Sequence, residues 1–106
     1  IPNRIERNFM IKITKINQYK HLLKPINKNQ LNEVIFKIKD YDRYDTIKLD
    51  KFNTPQEALE FILGELNMKN VKYLDIRNSH ENTIIDYGVY NAHYLITNCE
   101  LKEFEV

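Results

Sequence analysis

A single cysteine, Cys99, rules out an internal disulfide, and a reducing, cytoplasmic setting is expected. Nothing near Cys99 in sequence would lower its pKa, so it is read as a half-buried small residue and not a nucleophile. Only two glycines are present, Gly64 and Gly88, so no glycine-rich cradle for a nucleotide phosphate can be built. Ser79 is the only serine and lacks the strained Gly-x-Ser-x-Gly elbow of an acyl-transfer nucleophile. No apolar run approaches the roughly 18 residues of a membrane span, and no basic, apolar leader precedes the body of the chain. A membrane partner is therefore not expected.

What the chain has in excess is isoleucine, asparagine and lysine, at 14, 13 and 12 residues, against two alanines. All three abundant types have AT-rich codons, which points to a low-GC bacterium, its plasmid or its phage. At 106 residues the chain fits one domain with its own core. Residues 10–106 are read as that domain. Residues 1–9, without periodicity, are read as a non-native or disordered extension, with translation starting at Met10.

The hydrophobic pattern predicts an α+β fold. A strand is expected over 9–16, with Phe9, Ile11 and Ile13 on one face, and a short N-terminal helix over 17–24 that stops at Pro25. A hairpin follows: Val34, Phe36 and Ile38 alternate with polar partners, Ile47 and Leu49 answer on the second strand, and Asp40–Asp45 forms a polar connection. The main helix is expected at 54–67. Thr54 is its N-cap, Pro55 sits at the first helical position, and Glu57 completes a capping box. Ala58, Leu59, Ile62, Leu63 and Leu66 recur at helical spacing and form its buried stripe. Gly64 within it is read as a close approach by a neighbouring strand. A three-stranded meander over 71–77, 83–87 and 92–99 closes the fold, with turns at Asn78–Asn82 and Gly88. The expected architecture is thus an antiparallel sheet, hairpin plus meander, packed on one main helix.

No metal or catalytic constellation emerges from the spacing. His21, His80, His93 and Cys99 show neither i,i+4 pairing nor a Cys-x-x-Cys arrangement. Asp40, Asp42 and Asp45 fail as a calcium loop, because Tyr44 stands at a ligand position and the turn glycine and the final glutamate are missing. Asp75, Arg77 and Asp86 are read as a cross-strand ion-pair group on a solvated face. His93 and Tyr87 on neighbouring strands could form an acid–base pair, but exposed hairpin side chains explain them as well. Enzymatic activity is not expected, and neither a cofactor nor a metal is.

The charge map carries the functional expectation. Residues 1–40 hold nine Lys or Arg against three acids, and residues 41–106 hold seven against twelve. From Arg7 through Asn32 there is no acid at all. Such a segment suits a polyanion, because each lysine near a phosphate releases condensed counterions. Phosphate contacts are expected from Lys12, Lys15, Lys20, Lys24 and Lys28. Tyr19 is expected to stack on a base, and Asn17 or Gln30 to touch base edges. Lys37 and Lys39 on the hairpin, with Lys48 and Lys51, extend the basic surface. The main helix, with Glu57, Glu60 and Glu65, is expected to avoid phosphate. The reading is a small DNA-binding accessory protein of a plasmid or phage, with a homodimer through a free sheet edge, such as the last strand. The competing reading is an inhibitor of a host, phage or toxin protein, with Tyr41, Asp42, Tyr44, Tyr87 and Tyr90 as the interface.

Overall fold

The structure is a computed structural model that describes residues 19–69, 71 and 73–102. The expected strand at 9–16, the Met10 start, and Lys12, Lys15 and Asn17 lie outside the described residues. A short helix, α1, is described over residues 19–22. It is followed by β1 (Leu23–Pro25), β2 (Asn32–Asp40), β3 (Arg43–Phe52), α2 (Pro55–Met68), β4 (Asp75–Ser79), β5 (Asn82–Asp86), β6 (Ala92–Thr97) and β7 (Cys99–Leu101). Five strands form one antiparallel sheet in the order β3-β2-β6-β5-β4, and β1 pairs with β7 in a second, two-stranded sheet. The fold is α+β.

The helix α2 forms where its capping signals place it. Thr54 has extended backbone dihedrals and its hydroxyl oxygen accepts from the Glu57 N–H at 3.2 Å. Pro55 stands at the start, where a missing N–H costs nothing. The helix connects β3 to β4, the two opposite edges of the sheet, so it must cross one face. Ala58, Leu59, Ile62 and Leu66 are buried there against Val34, Ile76, Ile85, Tyr94 and Ile96. Each fully buried Leu or Ile contributes about 1.5–3 kcal/mol. At the C-terminal end Lys69 folds back so that its Nζ lies 4.8 Å from the Phe36 ring centre and 5.4 Å from those of Tyr87 and Tyr94.

Several boundaries differ from the expectation. The helix expected over 17–24 has ended by Leu22, and Leu23–Pro25 instead pair with Cys99–Leu101. Lys20 and Lys24 therefore do not share a helical face. The connection expected over Asp40–Asp45 shrinks to Tyr41-Asp42, because Asp40 and Arg43 already pair. Tyr41 adopts a positive φ of 58°, and His80 one of 51° in an equally short turn after Ser79. The strand expected from residue 71 starts only at Asp75. The single strand expected over 92–99 breaks at Asn98, with φ 53°, where the chain leaves the large sheet for the small one. Ile47 lies opposite Phe36 but stays exposed, and Leu49 falls at the register shift between Val34 and Ile35, so it has no partner on β2 and does not join the expected buried face. Gly64 is exposed and a side chain there would meet nothing within 4 Å, so no strand approaches it.

Asparagine side chains tie the two sheets together. Asn98 accepts from the Asn27 N–H at 2.8 Å and donates to the carbonyls of Asn27 and Gln30, at 2.8 and 3.2 Å. Buried Asn32 donates to the carbonyls of Thr97 and Asn98. Asn78 accepts from the Leu101 N–H at 2.6 Å and donates to the Leu101 carbonyl at 2.8 Å. With the Cys99 N–H donating to the Glu81 carbonyl and the Thr83 hydroxyl to the Cys99 carbonyl, the second edge of β7 is occupied. The last strand is therefore not a free edge for a second copy; β3 and β4 are the outer strands of the large sheet.

Candidate nucleic-acid interface

The pleat sends every second residue to the face opposite α2. Register places Lys48, Ile35, Leu95, Ile84 and Arg77 in one row across β3, β2, β6, β5 and β4. Ile35 and Leu95 form its apolar middle, each 8% exposed. In the next row Thr46, Lys37 and His93 lie side by side, followed by Tyr44 opposite Lys39. Lys51 and Glu33 pair on the same face at 3.9 Å.

Three of these lysines are uncommitted. Among the described residues no ion pair engages Lys37, Lys39 or Lys48, whereas the acids of this face are held: Glu33 by Lys51, and Asp75 and Asp86 by Arg77 at 2.9 and 3.1 Å. Lys39 Nζ lies 5.8 Å from the Tyr44 ring centre, and Tyr44 meets His93 edge-on with centres 6.3 Å apart. Burial pushes the His93 pKa down, and the nearby charges of Lys37 and Arg77 push the same way against Asp86. His93 is thus neutral near pH 7. Burial alone would raise Asp86, but the Gly88 N–H at 2.9 Å and Arg77 outweigh it and hold the carboxyl below its ordinary range.

Beside this cationic strip lies a groove of about 740 Å³, bounded by Tyr44, Tyr73, Arg77, Asp86, Tyr90 and His93. Tyr90 is 99% exposed at its lip, and Tyr44 is 54% exposed. Gly88, at φ 89°, shapes one wall: a side chain there would come within 3.2 Å of Tyr73 Cβ. No protein-family model, curated protein or solved structure matches this chain. The chemistry of these side chains is therefore what a functional reading has to work from.

The other expected site residues do not gather. Lys20 is ion-paired with Glu60 of α2, and Tyr19 packs against the core. Lys24 sits on β1 opposite Glu100, while Lys28 and Gln30 are exposed in the loop that Asn98 anchors. That loop flanks the Asn32 end of β2, whereas Lys39 is at the other end, roughly 20 Å away at the rise of a strand. Tyr41 and Asp42 are exposed at the hairpin tip, Tyr41 at 92%. Tyr87 is not an exposed interface residue: it is half-buried, with its ring 5.6 Å from Tyr94 and under Lys69. It lies on the helix side and cannot pair with His93 as acid and base.

Cys99 is fully buried, and burial pushes its thiol up to about 11. No three His, Cys, Asp or Glu side chains gather as a metal-holding group among the described residues. No helix among them is long and apolar enough to cross a membrane.

Proposed function

We propose that this chain is a non-enzymatic DNA-binding protein that uses the sheet face opposite α2. The observation that carries the reading is the set of three uncommitted lysines, Lys37, Lys39 and Lys48, beside Tyr44 and His93 on one surface. Lysine ammonium groups bind phosphates as mobile point charges, and the flanking rings offer stacking surface to bases. On the helix side, Glu57 is exposed on α2 and would repel a phosphate backbone. Lys24 and Lys28 lie apart from this surface, on the side of the loop that Asn98 anchors. The low-GC composition supports an accessory role on a plasmid or phage.

The test is fluorescence-anisotropy binding to DNA across a salt series. The expected result is affinity that falls linearly on a log–log plot, with a slope near 0.7–0.9 for each phosphate contacted. Replacing Lys37, Lys39 and Lys48 by Glu should abolish binding, and Lys24→Glu with Lys28→Glu should weaken it only slightly. Equal loss from both variants, or no binding at low salt, rejects this assignment.

A second reading rests on Tyr41 and Tyr90, which are almost wholly exposed. Tyrosine pays little conformational entropy for its contact area, so such residues suit a protein partner. Under that reading Tyr41→Ala and Tyr44→Ala remove inhibition of the target, and the lysine changes do not.

A further inference from the structure

The groove beside the lysines differs from them in charge, and that difference assigns it a different job. Arg77 and Asp86 line it, and Arg77 is also bound by Asp75, so this group carries two carboxylates on one guanidinium. A phosphate placed there would meet net negative charge. A neutral planar ligand would not be repelled by it. Both carboxylates bind the Nη1 nitrogen of Arg77, which leaves the Nη2 and Nε N–H groups to donate to a ligand acceptor. Asp86 offers acceptor oxygens to an exocyclic amine. Tyr44 and Tyr90 line it with exposed rings, and neutral His93 adds one donor and one acceptor. The groove is open to solvent and, at about 740 Å³, has room for a nucleobase.

We propose that this groove takes an unpaired nucleobase of single-stranded DNA, stacked on Tyr90 or Tyr44, while the backbone of the same strand runs over Lys39, Lys37 and Lys48. The inference rests on the DNA reading above and narrows it to single strands. In a duplex the base faces are stacked on one another and the Watson–Crick edges are paired, so the rings of Tyr44 and Tyr90 would find no base face to stack on.

The experiment compares three fluorescein-labelled ligands of equal length: a mixed single strand, its abasic single-stranded counterpart and the duplex. Each is titrated with the wild-type chain and with Tyr44→Ala/Tyr90→Ala. Both tyrosines are exposed, so the variant should melt where the wild type does. The expected result is that the base-bearing single strand binds about ten-fold or more tightly than the abasic one and than the duplex. The double variant should lose that advantage and keep the salt slope. Equal affinity for base-bearing and abasic strands, preference for the duplex, or an advantage that survives the double variant overturns the inference. The DNA reading stands in those cases if binding still vanishes in the triple Lys→Glu variant. Failure of every ligand to bind overturns both, and leaves the tyrosine rim to a protein partner.

Discussion

Single side chains decide where several elements start, stop and seal. Thr54 satisfies the Glu57 N–H and also donates to the Glu57 carboxylate at 3.0 Å. Thr54→Ala should lower the stability of the chain by about 1 kcal/mol, read from urea denaturation at constant slope. An unchanged midpoint would mean that the helix end is held by packing alone. Cys99 behaves oppositely, because it contributes by being sealed. Its thiol is fully buried with a pKa near 11, so it should resist alkylation in the native state and react fully in denaturant. Rapid native labelling would contradict that burial. His93 links stability to pH. Its folded pKa lies below the ordinary 6.5, so below that value the unfolded chain binds a proton that the folded chain does not. This contribution to stability is present above pH 6.5 and is lost as pH falls through the folded pKa. Comparing denaturation at about pH 5 and about pH 7, His93→Gln should show a smaller loss than wild type.

Among the elements, α2 was the most legible in sequence and the small sheet the least. The cap, the proline and the apolar stripe of α2 are all local, so its limits, Pro55–Met68, fall within one residue of the expectation. The Val34–Ile38 alternation likewise marks β2. The Asp40–Asp45 run misled because the first residues of β3, Arg43 to Asp45, are exposed and carry no apolar alternation. Leu23–Pro25 is a strand only because Cys99–Leu101 lies beside it, and no local signal encodes a partner 76 residues away in sequence. The break at Asn98 falls inside a run that reads as one strand, and carries neither glycine nor proline to announce it. Asn78 holds that small sheet against β4 through both polar groups of Leu101. Asn78→Ala would leave two backbone groups seeking water at a half-covered edge, at a cost of about 1–3 kcal/mol. Amide exchange at Leu101 should accelerate in this variant more than exchange in the centre of β6. Equal acceleration throughout would show the two sheets unfolding as one unit.

For the whole molecule, the arrangement of charge matters more than the net value of +1. The sequence divides it by position along the chain; the fold divides it between two faces of one sheet. Lys20, from the acid-free segment, is consumed by Glu60, while Lys37, Lys39 and Lys48 converge with Tyr44 and His93 because β2 lies between β3 and β6. The hairpin lysines were legible as one face from the period-two pattern alone. The groove was not, since Tyr44 and Tyr73 flank it only once the strand order is known. A footprint of bound DNA tests this two-faced arrangement directly. Titrating a single strand into the isotopically labelled chain should shift the amide and side-chain resonances of Lys37, Lys39, Tyr44, Tyr90 and His93. Those of Glu57 and Glu65 on α2 should stay in place, since like charge keeps phosphate away from that helix. Shifts centred on Lys24, Lys28 and Gln30 would move the interface to the loop that Asn98 anchors, and shifts centred on α2 would refute the electrostatic argument itself.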